Sequence, residues 1–200
     1  MMKLFYSPSS PFVRKVMACA ILRGLDSRIE TVTTNPHQSP AELVAANPLS
    51  KVPGLIADDG TAYFDSPVIC EYLDSLGGAP PLFPPSGPAR FRALVLQAMG
   101  DGILDAAVAR RMEQGRPQED ARDAAMARMK AAVARTLAML EAHPPGEGLD
   151  IGSVTIACAL GYLDFRFAAE PWRPAHPLLA AWFARMEAVP AIARTAPPAG

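Results

Sequence analysis

Apolar positions along the first 77 residues recur in two different rhythms. Lys3 to Tyr6 is a short, mostly apolar run stopped by Ser7-Pro8-Ser9, which predicts a strand. Ser10 follows as a helix N-cap, with Pro11 at the first helical position, where a missing N–H costs nothing. Val13, Met17, Ala20 and Ile21 then repeat at helical spacing, with Arg14, Lys15 and Arg23 on the other face and Gly24 at the stop. Ile29 to Val32 reads as a second strand, and Pro40 to Ala46 as a short helix or turn. Val52 to Ile56 and Ala62 to Phe64 are apolar runs joined across Asp58-Asp59-Gly60, a hairpin signal. Ser66 is expected to cap a further helix, with Pro67 first and Ile69, Tyr72, Leu73 and Leu76 as its buried stripe. The order β-α-β-α-β-β-α predicts a small mixed sheet with helices packed on it.

The rhythm changes at Gly77 to Pro88, where five prolines and three glycines mark a linker. Beyond it only the helical period recurs. Phe91 to Arg111 is one such stretch, although Gly100 and Gly102 each weaken it by roughly 1 kcal/mol relative to Ala. Gln118 to Ala142 is a second, with Met129, Val133, Leu137 and Leu140 on one face. Asp150 to Phe167 is apolar on its flanks as well as its main stripe, which predicts the buried central helix of this half. Asp150 serves as its N-cap, with Leu149 and Val154 placed for a hydrophobic staple. Pro177 to Ala188 makes a last helix, and the tail from Thr195 is expected to be loose. The expected organisation is therefore an α/β domain over 1–77, a linker over 78–88 and an all-helical domain over 89–200.

Composition narrows the function. Half the residues are hydrophobic, a fifth are charged, and the formal net charge is -1 with no long run of either sign. Phosphate-backbone binding needs a concentrated basic face, so nucleic acid is not an expected partner. The longest near-apolar stretch, Ile151 to Leu163, is too short to span a bilayer, and the amino end lacks a signal-peptide core. Three scattered cysteines without paired spacing point to a reducing, cytosolic setting. His37, His143 and His176 are isolated, so neither a metal cluster nor a Ser-His base is visible and no cofactor is expected. Cys19, about 13.5 Å along its helix from the start, is placed for core packing rather than chemistry.

Three local patterns carry the candidate chemistry. They are Ser9-Ser10-Pro11-Phe12-Val13-Arg14-Lys15 at a strand-to-helix turn, Asn47-Pro48-Leu49-Ser50-Lys51-Val52-Pro53 at a strand entry, and Phe64-Asp65-Ser66-Pro67 at a helix start. In order and spacing they resemble the glutathione S-transferase superfamily, most of all a bacterial subgroup with a Ser-Pro-Phe-Val-Arg-Lys turn. Ile156 to Arg166 continues the likeness, which covers nearly the whole chain. The resemblance implies a thioredoxin-like front domain, a helical-bundle back domain and a homodimer. It also implies glutathione as co-substrate, with a small hydrophobic electrophile as the second substrate.

The resemblance places Ser10 as the group directed at the glutathione sulfur. A free thiol titrates near 8.5, so only about 3% is thiolate at pH 7; lowering that value to roughly 6.5 takes about 2.7 kcal/mol. A hydrogen bond to a charged group contributes about 1.5–3 kcal/mol and a helix N-terminus about 0.3–1. Ser10, the Phe12 and Val13 amides and nearby Arg14 are the expected sources. Pro53 matches the superfamily's cis-proline, which turns the Val52 backbone toward the tripeptide as an added strand would be. Lys51 is placed for the glycyl carboxylate, and Asp65 and Ser66 for the γ-glutamyl end. Each has a plainer reading. Ser10 also reads as a simple cap, Pro53 as a strand-entry proline, Lys51 as a solvated lysine and Asp65-Ser66 as an ordinary helix start. Tyr6 and Ser9 remain alternative thiol donors. A non-catalytic glutathione-binding or interaction module, or a glutathione-dependent isomerase, dehalogenase or peroxidase, fits the same patterns.

Overall fold

Four strands form one sheet in the order β2-β1-β3-β4: β1 (Met2–Tyr6), β2 (Ile29–Thr33), β3 (Gly54–Ile56) and β4 (Ala62–Tyr63). The computed structural model describes residues 1–78 and 80–198. β1 and β2 run parallel with Met2 opposite Ile29, whereas β3 is antiparallel to both β1 and β4. Helix α1 (Pro11–Leu22) makes the crossover between the parallel pair. α2 (Ala41–Ala46) precedes the hairpin and α3 (Ser66–Leu76) follows it. This is the thioredoxin-like arrangement expected of the front half. Its strands are shorter than the apolar runs suggest, because Val52 and Pro53 stand outside β3 and Phe64 outside β4.

One expected cap is corrected. Asp65, not Ser66, occupies the N-cap position of α3; Ser66 is its first helical residue, and no side chain caps the helix. Pro67 sits second, where its missing N–H is still harmless.

Helices alone build the back half. They are α4 (Gly87–Glu113), α5 (Asp120–Ala142), α6 (Ile151–Arg166), α7 (Pro177–Glu187) and α8 (Pro190–Arg194). α4 starts inside the proline-rich stretch expected to be linker, and Ala79 of that stretch lies outside the described residues. The rest of it is tethered. Asp74 accepts from the Leu82 and Phe83 amides at 2.7 and 3.0 Å, and the Leu82 carbonyl accepts from Ile151 at 2.9 Å. α8 was not expected, since Val189-Pro190 interrupts the pattern and starts a new short helix. Of the tail expected to be loose, Ala199 and Gly200 lie outside the described residues.

α6 is the central helix, with twelve buried residues. Asp150 caps it through a capping box in which Ser153 accepts from the Asp150 amide at 2.9 Å and its own amide donates to Asp150 Oδ1 at 2.8 Å. Small residues let α4 and α6 lie close. A methyl on Gly100 would lie 2.7 Å from Thr155 Cγ2 and 3.0 Å from the Thr155 backbone. Close packing within the chain therefore accounts for Gly100, with no need of a partner subunit. Gly102, one turn-face away, meets nothing within 4 Å. α1 packs on α3, α6 and α8, so it belongs to the cores of both domains. Among the described residues no helix is long and apolar enough to cross a membrane.

Candidate functional site

Sheet register brings the three sequence patterns to one end of the sheet. Phe5 pairs with Gly54, and Leu55 pairs with Tyr63. Following that register, Tyr6 stands one residue past Phe5, Pro53 one residue before Gly54 and Asp65 two residues past Tyr63, all at the same end of the sheet. Ser10 reaches it through the turn after Tyr6, where its amide donates to the Ser7 carbonyl at 3.1 Å. The chain thus places Ser10, Val52, Pro53, Asp65 and Ser66 around the strand ends, a common location for sites in open sheets.

Ser10 is the N-cap of α1 and accepts from the Val13 amide at 3.3 Å. A hydroxyl has one donor and two acceptor positions, so capping leaves its proton free to point elsewhere. The cap and the thiol-donor readings are therefore compatible. Capping also engages the Val13 amide, leaving that of Phe12 as the less committed donor at the helix start. Ser9 Oγ lies 3.5 Å from Ser7 Oγ. Arg14 does not face the turn as expected. It is 8% exposed and donates through Nη2 to the Ile192 carbonyl of α8 at 3.2 Å.

The Val52–Pro53 peptide is cis, as the resemblance implied, and Phe64–Asp65 is cis as well. Asn47 holds the segment that delivers them. It is fully buried, its Nδ2 donates to the Lys51 carbonyl at 2.8 Å, and its Oδ1 accepts from the Leu49 amide at 3.0 Å. The sequence pattern includes Asn47 without giving it a role; the Asn-Pro pair ending a short helix was the available signal. Lys51 and Asp65 are exposed, Val52 is half-buried, and Pro53 and Ser66 are buried.

Two carboxylates on α4 complete the surroundings. Lys15, wholly buried on α1, donates to Asp101 Oδ1 at 2.6 Å. Burial pushes the Asp101 carboxyl above its ordinary value, against the pull of Lys15. Burial also raises Asp105, with Lys51 opposing and Asp65 adding to the shift. Asp105 thus senses both Lys51 and Asp65 of the front domain, and Asp101 senses Asp65. Ile103 of α4 and Tyr162 of α6 are 1% and 5% exposed, whereas Phe12 of α1 and Met99 of α4 are half-buried.

The cysteines are core residues. Cys19, Cys70 and Cys158 are all fully buried. A hydrogen bond that the Cys19 thiol donates to Cys70, and then burial, hold it well above its usual value, and burial pushes Cys158 up to about 11. Held as thiols, Cys19 and Cys158 are not nucleophiles at neutral pH. His176 Nδ1 lies 2.7 Å from the Trp172 carbonyl, and among the described residues no group of three His, Cys, Asp or Glu is arranged to hold a metal ion.

Comparison with known proteins agrees with this geometry. The family described as the glutathione S-transferase N-terminal domain matches residues 9–76, and its C-terminal counterpart matches 123–185. An uncharacterized GST-like protein of Escherichia coli K12, YibF, is 32% identical, with 98% of this chain and 99% of that protein covered. A glutathione transferase family member from Pseudomonas fluorescens Pf-5, crystallised with bound glutathione, is 40% identical over the full length of both chains, with a TM-score of 0.93. A glutathione S-transferase of Methylobacillus flagellatus with glutathione bound is 32% identical, covering 98% of this chain and all of that one, with a TM-score of 0.89.

Proposed function

Because this chain belongs to the glutathione S-transferase family, we propose that it binds glutathione and activates its thiol for attack on a small hydrophobic electrophile. One observation carries the proposal: the sheet register gathers Ser10, the cis Val52–Pro53 peptide and the Asp65–Ser66 helix start at one edge. Two similar proteins hold glutathione in their crystal structures, which supports the same ligand here. The turn from Ser10 to Lys15 supports a place among bacterial members with a Ser-Pro-Phe-Val-Arg-Lys turn.

In this reading the Val52 backbone pairs with the tripeptide like an added strand. The amino end of α3, with Ser66 at its first position, takes the γ-glutamyl carboxylate, and the exposed Asp65 takes its ammonium. Lys51 meets the glycyl carboxylate. Ser10 donates its free proton to the sulfur, and the Phe12 amide adds a second favourable dipole at the α1 N-terminus. Together they favour the thiolate, which then attacks the electrophilic carbon. Holding both reactants in the interdomain cleft supplies much of the remaining acceleration. Val68 and Leu76 on α3 and Phe91 and Val95 on α4 are large exposed apolar side chains, which supports a homodimer that covers them.

Calorimetry with glutathione, followed by a thiolate absorbance titration of the complex, tests the proposal. Saturable binding with a thiol pKa well below that of free glutathione is expected. Absence of binding overturns the whole reading; binding with an unshifted thiol overturns the catalytic part and leaves a binding module.

A further inference from the structure

Among the described residues, Ser39 and Ser50 are the two other than glycine whose backbone is left-handed, at φ values of 45° and 51°. Their Cβ atoms make that conformation unfavourable, whereas glycine adopts it freely. The two side chains engage each other. Ser50 Oγ lies 2.9 Å from Ser39 Oγ and 3.1 Å from the Pro36 carbonyl oxygen. A hydroxyl carries one proton and two acceptor positions, so Ser50 serves both partners when Ser39 supplies the proton between the serines. One clasp thus joins two unfavourable conformations, and strain of this kind gathers where a segment is held for function.

The clasp ties together the chain on either side of α2. Ser39 ends a single 3-10 turn, Pro36–Gln38, that follows β2. Ser50 ends the turn after α2, where its amide donates to the Asn47 carbonyl at 2.9 Å. The next residue is Lys51, whose own carbonyl is held by buried Asn47 at 2.8 Å. The main chain is therefore fixed on both sides of a side chain that is itself exposed. No acid is paired with the Lys51 ammonium among the described residues. A turn needed only to reverse the chain would be served by glycine at both serine positions.

We infer that Ser39 and Ser50 are positioning residues for Lys51, and that they set the site's preference for a ligand whose far end carries a free carboxylate. This rests on the proposed glutathione reading, in which Lys51 meets the glycyl carboxylate. The serines act through Lys51 rather than on the ligand. They fix the residue before it, as Asn47 fixes its carbonyl, and so limit the directions in which the ammonium reaches. Ordering completed in the free protein does not oppose binding.

Calorimetric titrations of glutathione and of its glycyl ethyl ester, which lacks that carboxylate's charge, test the inference. Ser50→Gly removes one hydroxyl and suits the left-handed backbone, and Ser39→Ala removes the other hydroxyl alone. Each is expected to weaken glutathione about three- to tenfold, the loss of one hydrogen bond, and to change the ester by less than about twofold. In a Lys51→Met background Ser50→Gly is expected to have no further effect, because the two residues act as a unit. Circular dichroism checks the folding of each variant, and a purely structural role would weaken both ligands alike. Folded variants that bind glutathione as wild type does, equal losses for the two ligands, or a Ser50→Gly effect that persists without Lys51 each overturn the inference. Equal wild-type affinity for glutathione and its ester does so too, since Lys51 then meets no carboxylate. Failure of both serine variants to fold also overturns it, by making the clasp a requirement of the fold. Wild-type protein that binds neither ligand overturns the glutathione reading itself, and the inference with it.

Discussion

Lys15 of α1 and Asp101 of α4 form a 2.6 Å ion pair that joins the two domains, with the lysine wholly buried. Both groups were visible in the sequence, 86 positions apart, but nothing local connects them. The pair lies one turn beyond the Ser10 cap, so it fixes how α4 faces the candidate site.

Removing one partner strands the other's charge. Lys15→Met is expected to lower stability by about 3–5 kcal/mol, whereas Lys15→Met combined with Asp101→Leu recovers most of that loss. Urea denaturation of the two variants checks this. If the double variant is no more stable than the single one, charge burial is not the reason.

Ser10→Ala removes a cap and, in the proposed mechanism, a thiol donor. Turnover is expected to fall about 10–100-fold, while stability falls by about 0.5–2 kcal/mol. The separate readouts are the rate with saturating glutathione and the urea midpoint. An unchanged rate moves the donor role to Tyr6 or Ser9.

Gly100 and Gly102 are near neighbours on α4 but answer to different constraints. Gly102 faces open space, so Gly102→Ala is expected to stabilise the protein by roughly 0.5–1 kcal/mol through helix propensity. Gly100→Ala drives a methyl into Thr155 and is expected to cost about 1–3 kcal/mol. Thermal melts of the pair should shift in opposite directions.

Glu170 gives the fold one handle on pH. Hydrogen bonds from Lys130 and Arg110 hold its carboxyl below the ordinary range. A depressed folded-state value contributes stability above the unfolded pKa of about 4.3, and that stability is lost as pH falls through the folded value. Glu170→Gln is therefore expected to destabilise at neutral pH, by a small amount because Glu170 is partly exposed. The difference from wild type should vanish in strong acid. Denaturant midpoints measured across that range test the sign.

Much of the architecture was legible because its signals are local. Ser10-Pro11, Asp58-Asp59-Gly60 and the flanks of 150–167 each announce a cap, a turn or a buried helix through a few neighbouring residues. Element ends were harder. The exchange of Asp65 for Ser66 at the α3 cap, the onset of α4 at Gly87 and the extra helix α8 turn on single residues, where competing local conformations differ little in energy.

Local chemistry and the likeness of three short patterns were enough, by themselves, to determine a thioredoxin-like sheet, a helical partner domain and which residues to examine. Only the tertiary structure decided what those residues face. It turned Arg14 away from Ser10 toward α6 and α8, set Lys15 against Asp101, and gave Asn47 the task of holding the strand entry. The physical reason is range. Caps and periods are written within a turn or two of chain, whereas the partner of a buried charge is chosen by how distant helices pack, and no local spacing encodes that choice.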